Sequence, residues 1–167
     1  MQMELPVRKK IRLEGYDYSG AGCYFITICI KDGHEILGKV VVGDAALGVP
    51  FVVLNEIGEY VKQRIEHINV IPGHIRVDKY VIMPNHIHLL LSVTSGTPRA
   101  ASPTKSEIAK AVNAIKSLTT KHIGYSIWQR SYNDRIIRDE EEYQSKWRYI
   151  EENPARWTED EFYKVAL

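Results

Sequence analysis

Cysteine, net charge and long apolar runs are all scarce in this chain. Two cysteines among 167 residues exclude a disulfide scaffold of the kind that small secreted domains need. Basic residues number 22 and acidic residues 21, so no whole-molecule field draws an anionic partner, and local patches must carry any such role. No uninterrupted apolar segment approaches the ~18 residues of a membrane span. The opening MQMELPVRKKIRL also lacks the apolar centre of a secretory signal. The expectation is a soluble, cytoplasmic protein. What the chain does have is a hydrophobic content of 44%, enough at this length for a single domain with its own core. Cys23 and Cys29 lie six apart in an apolar, β-branched run, which places both on one face of a strand as reduced, buried thiols.

The pattern changes period several times along the chain. Residues 22-GCYFITICIK-31 read as a strand that closes at Asp32-Gly33, with Leu37 to Val42 returning antiparallel to it. Residues 43–50 look like a connector, and Phe51 to Leu54 form a short apolar run that fits more than one state. Ile57, Tyr60, Val61, Ile65 and Ile68 then recur at helical spacing behind a capping Asn55, which predicts a helix over 56–68. IRVDKYVIM and HIHLLLSV flank a Pro84-Asn85 break and read as a hairpin. The polar stretch 94–106 reads as a flexible loop inside the domain.

A helix follows Ser106, with Ile108, Val112, Ile115 and Leu118 as its stripe, and ends near Gly124. A fifth strand is expected around Arg135 to Arg138. The last helix starts at Asp139, carries Tyr143, Trp147 and Ile150, and ends at Pro154. The order β-β-α-β-β-α-β-α predicts an α+β fold, with an antiparallel sheet of about five strands and helices packed on one face.

Three constellations bear on chemistry. In 81-VIMPNHIHLLL-91 two imidazoles, His86 and His88, share one face of a strand where a core would take Val or Ile. Two such rings can hold a divalent metal, although the spacing alone favours a hydrogen-bonded, half-buried pair. Leu90 occupies the third alternate position, which disfavours a histidine-triad hydrolase and sets the pair at the rim of the core. Tyr149 and Asn153, four apart, share a face of the last helix. A phenol is a weak nucleophile unless nearby charge or a metal assists it, and an amide oxygen suits a hard cation. Packing is the commoner role of a helical tyrosine.

The third constellation mixes cations with rings. The run 7-VRKKIR-12 supplies Arg8, Lys9, Lys10 and Arg12, and 128-WQRSYNDRIIR-138 supplies Trp128, Arg130, Tyr132 and Arg135. Cations along phosphates and rings against bases suit single-stranded nucleic acid. The lysines of the middle helix, taken singly, read as solvated surface charge.

Together the segments 11-IRLEGYDYSGAGCYFITICIKD-32, 80-YVIMPNHIHLLL-91 and 128-WQRSYNDRIIRDEEEYQSKWRYIEENPARW-157 resemble the REP-associated tyrosine transposases of the HUH superfamily. The resemblance implies a ferredoxin- or RRM-like fold, His86 and His88 as ligands of Mg²⁺ or Mn²⁺, Tyr149 as nucleophile and Asn153 as a third, helix-borne ligand. It also implies cleavage and transfer of single-stranded or hairpin DNA through a 5′-phosphotyrosine, by a nucleoid-associated monomer or homodimer. Two competing expectations are a DNA-hairpin-binding protein that does not cut and a metal-dependent phosphohydrolase that uses water. Tyr132 and Tyr143 are the alternative nucleophiles.

Overall fold

The computed structural model describes residues 22–43, 48–94 and 107–164. Its centre is a four-stranded antiparallel sheet in the order β4-β5-β1-β6, built from β1 (Gly22–Cys29), β4 (Ile75–Ile82), β5 (His86–Val93) and β6 (Asn133–Ile137). β1 and β5 lie in the middle and are covered on both faces, so their side chains run apolar nearly without a break instead of alternating with polar ones. Tyr24, Ile26 and Ile28 of β1, with Ile87, Leu89 and Leu91 of β5, point to one face. Phe25 and Leu90 point to the other.

Two helices cover the first face. α1 (Glu56–Ile68) begins where the Asn55 side chain accepts from the Ile57 and Gly58 amides, each at 3.0 Å, and it buries Val61 and Ile65. A Cβ at Gly58 would come within 2.1 Å of the Leu37 carbonyl oxygen, so only glycine allows this helix to approach so closely. α2 (Glu107–Ile123) buries Ile108, Val112 and Ile115 against the same strands. Leu118, expected in that stripe, is exposed, and Thr119 is buried in its place. α3 (Glu140–Glu152) is capped by Asp139, whose side chain accepts from the Glu142 amide at 2.8 Å. No helix among the described residues is long and apolar enough to cross a membrane.

The α+β class and its antiparallel sheet are as expected, with three differences of detail. First, β2 (Gly38–Val42) does not pair with β1: both edges of β1 are taken, by β5 and by β6. β2 instead forms a separate two-stranded sheet with β3 (Pro50–Leu54), so the main sheet has four strands. Second, the run 51–54 is therefore strand. Third, the helices do not share one face. Ile150, Tyr143 and Trp147 of α3 pack with Phe25 and Leu90, opposite α1 and α2. Beyond Thr94, the stretch read as a loop lies outside the described residues.

Candidate active site

The turn Met83–His86, closed by the Met83 amide donating to the His86 carbonyl at 2.8 Å, delivers the histidines at the start of β5. Strand register sets His86 opposite Cys29 and His88 opposite Thr27, all on the face that α3 covers. Both rings are buried, at 0% and 2% exposure, with centroids 4.6 Å apart. Each has one nitrogen engaged. His86 Nδ1 lies 2.8 Å from Asn85 Oδ1, and His88 Nδ1 lies 2.8 Å from Thr27 Oγ1.

The Asn85 contact fixes a tautomer. The Asn85 amide nitrogen donates to the Gly33 and Phe162 carbonyls at 3.1 and 2.8 Å, which leaves its oxygen facing the imidazole. His86 Nδ1 must therefore carry the proton and Nε2 the lone pair. The Nε2 atoms of both histidines are buried without a hydrogen-bond partner, as is Asn153 Oδ1. Orphaned polar atoms of this kind are rare, and a ring held through Nδ1–H with Nε2 free, as His86 is, has the form of a metal ligand. Burial pushes the His86 pKa down to about 4, against the opposing pull of Asp160 and Asn153. It also drives His88 well below its ordinary value, helped by the Lys146 charge and by repulsion between the two rings were both to be protonated. Both rings are thus neutral at pH 7, as coordination requires.

A carboxylate completes the cluster. His86, His88 and Asp160 bring one ligand atom each to within 4.8 Å of one another. A 3₁₀ turn at Trp157–Glu159 follows α3 and returns the chain over the histidines, where the Phe162 ring lies 4.5 Å from His86. The donor set, two imidazoles with carboxylate and amide oxygens, suits a divalent metal.

Tyr149 approaches from α3, its ring centroid 5.3 Å from that of His88 and 5.9 Å from that of Phe25. Burial, then the Asp160 and Glu161 charges, raise the phenol pKa, so the group is protonated at rest. Lys146, one turn earlier, sets its ammonium 5.3 Å from the Tyr149 ring centroid. An open cavity of about 200 Å³ adjoins these groups, lined by Tyr149, Asn153, Arg156 and Asp160 among others.

The structure thus brings His86, His88, Tyr149 and Asn153 together. Tyr143 is held apart, donating to Asp78 at 3.1 Å, with its pKa pushed up to about 12 by burial and by that carboxylate. Trp128 is a correction: it is 2% exposed and packed in the core beside Ile30, so its ring offers no surface to a base. Tyr132 also packs against that core. Arg130 is exposed beside Lys116 and Lys121, and Arg135 is exposed but paired with Glu142 at 2.5 Å. Arg8, Lys9, Lys10 and Arg12 lie outside the described residues.

Sequence reasoning passed over Thr27, Asn85 and Asp160. Thr27 gave a signal, being the polar residue within the otherwise apolar run 25-FITICI-30. Asp160, in the acidic stretch 158-TEDE-161, gave none.

This topology has a counterpart of known structure. A REP-associated tyrosine transposase bound to a REP hairpin aligns with a TM-score of 0.61 over 87% of this chain and 74% of that one, at 18% identity. The expected likeness to the REP-associated tyrosine transposases therefore holds for the fold. No family model matches the chain. An uncharacterized protein of Haemophilus influenzae is 34% identical over 174 aligned positions, spanning 93% of each chain. The chain belongs to the same family as that Haemophilus protein.

Proposed function

We propose that this protein is a metal-dependent transposase acting on single-stranded DNA, with hairpin-forming repeats as substrate and Tyr149 as nucleophile. The observation that carries this reading is the pair of buried, neutral histidines with free Nε2 atoms, set beside a tyrosine in a transposase fold. His86 and His88 would hold Mg²⁺ or Mn²⁺, with the oxygens of Asn153 and Asp160 beside them. Bound there, the ion would supply Lewis acidity, offsetting charge that builds on a scissile phosphate.

The chain's own residues account for the remainder. The Tyr149 oxygen attacks phosphorus in line and sheds its proton as it does so. The bond to the 3′ oxygen breaks, leaving a 5′-phosphotyrosine and a free 3′-OH. Attack by another 3′-OH reverses the step and joins two strands without an outside energy source. Asn153 beside the phenol pulls its pKa down, toward the phenolate, against the larger upward push of burial. Arg130 and Arg135, with the basic run 7–12, are the candidate phosphate contacts, and Trp128 has no part in them. The protein acts as a monomer or homodimer.

Labelled single-stranded DNA carrying a repeat hairpin, incubated with the protein and Mg²⁺, should yield a protein–DNA adduct that survives denaturant and is absent with Tyr149→Phe. Cleavage without an adduct would point to a water-using phosphohydrolase, and an adduct formed by Tyr149→Phe would remove Tyr149 from its role. Tight binding with no cleavage would leave a DNA-hairpin-binding protein.

A further inference from the structure

The two oxygen donors beside the imidazoles are not equivalent. Asn153 directs its amide nitrogen at Asp160, with Nδ2 donating to Oδ2 at 3.0 Å. Turned over, the amide would set its oxygen against a carboxylate, so this orientation is fixed. Asp160 Oδ2 in turn lies 3.9 Å from His86 Nε2. That is too long for a hydrogen bond and close to the span of two donors that each lie ~2.1 Å from a shared ion. The other oxygen, Oδ1, accepts from the Phe162 amide at 2.8 Å, which keeps the carboxylate in place.

The surroundings of this carboxylate call for a cation. Its side chain is 1% exposed, and among the described residues its ion-pair neighbour is His86 Nε2, the unprotonated nitrogen of the tautomer that Asn85 fixes. A carboxylate buried against two rings whose Nε2 atoms have no hydrogen-bond partner among the described residues is costly unless a positive charge joins it.

We infer that Asp160, carried by the segment that follows α3, is the charged third ligand of the metal, and that Asn153 is the positioning residue that orients it. This rests on the metal-site reading above and refines it. The same segment is fastened at a second point, because Asn85, which fixes the His86 tautomer, donates to the Phe162 carbonyl at 2.8 Å. An ion shared by His86 and Asp160 would therefore hold residues 157–164 to the start of β5.

Calorimetric titration of the full chain with Mn²⁺ tests this, with thermal unfolding of each variant run alongside. The wild type should bind Mn²⁺, and His86→Ala should not. Asp160→Asn should weaken binding by roughly 100-fold, and Asn153→Ala by about 10-fold, the range for residues that orient a ligand. Amide hydrogen exchange across 157–164 in the wild type should slow when Mn²⁺ is added. Affinity within about two-fold of wild type in Asp160→Asn, together with lost binding in Asn153→Ala, would overturn the inference and leave the metal site standing with a helix-borne ligand. Absence of Mn²⁺ binding in the wild type, or its survival in His86→Ala, would remove the metal site itself. If Asp160→Asn does not fold, exchange decides: rates across 157–164 unchanged at saturating Mn²⁺ would overturn the assignment.

Discussion

The two faces of the central sheet use the same strands in different ways. Toward α1 and α2, β1 and β5 present Tyr24, Ile26, Ile28, Ile87, Leu89 and Leu91, a surface whose only business is apolar burial. Toward α3, the same strands present Phe25 and Leu90 at one end and Thr27, His86 and His88 at the other. One face is apolar along both strands, while the other ends in imidazole nitrogens that have no hydrogen-bond partner among the described residues. Successive residues of one strand thus divide between holding the fold and leaving donors free for chemistry, and substitutions should separate the two.

The largest separation is expected at Tyr149. Tyr149→Phe should reduce DNA-adduct formation by about a thousand-fold or more while moving the thermal midpoint little, because the ring stays packed and only the hydroxyl is lost. Electrophoresis under denaturing conditions and a melting curve read the two effects. Next come the neighbours 88 and 89. Leu89→Ala should cost about 3 kcal/mol in urea unfolding by opening a cavity, and should leave Mn²⁺ affinity unchanged. His88→Leu should abolish Mn²⁺ binding and keep stability within about 1 kcal/mol of the parent, since an unsatisfied buried nitrogen disappears with the ring. Equal destabilisation by both would erase the distinction between the faces.

A smaller effect follows from pH. Unfolded histidines titrate near ~6.5, whereas burial lowers His86 to about 4 and His88 well below normal. Between these values the unfolded chain binds more protons, so the stabilisation is complete above pH ~6.5 and drains away as pH falls toward 4. At pH 5 the loss from His86 is on the order of 2 kcal/mol relative to pH 7. Urea midpoints at the two pH values measure it, and His88→Leu should make the decline shallower. The smallest effect belongs to the apolar face: Asn55→Ala removes the α1 cap for about 1 kcal/mol and should leave the histidine end untouched. A change in Mn²⁺ affinity from that variant would mean the faces are coupled.

The contrast also explains what could be read from the chain directly. The helices and the β4–β5 hairpin follow from periodicity and caps, which are local. His86 with His88, and Tyr149 with Asn153, are pairs within single elements, so their spacing marked them as candidates and the family resemblance gave them roles. Thr27 stood out as a polar residue and Asn85 as part of a turn, yet what each one bonds is set by strand register and tertiary contact, and Asp160, in the segment after α3, has no local signature. Trp128 misled because a tryptophan among arginines looks like surface, whereas a bridge to Ile30 draws it into the core. Asp32-Gly33 resembled a hairpin turn, yet strands distant in sequence occupy both edges of β1.

That last feature sets an order of events. Thr27 must find His88 on one side and Asn133 on the other, so the first strand of the main sheet waits for partners that emerge from the ribosome long after it. Contacts of such wide sequence separation slow folding. Tyr149 and Asp160 are made later still, so the groups around the two histidines cannot gather before those residues have emerged.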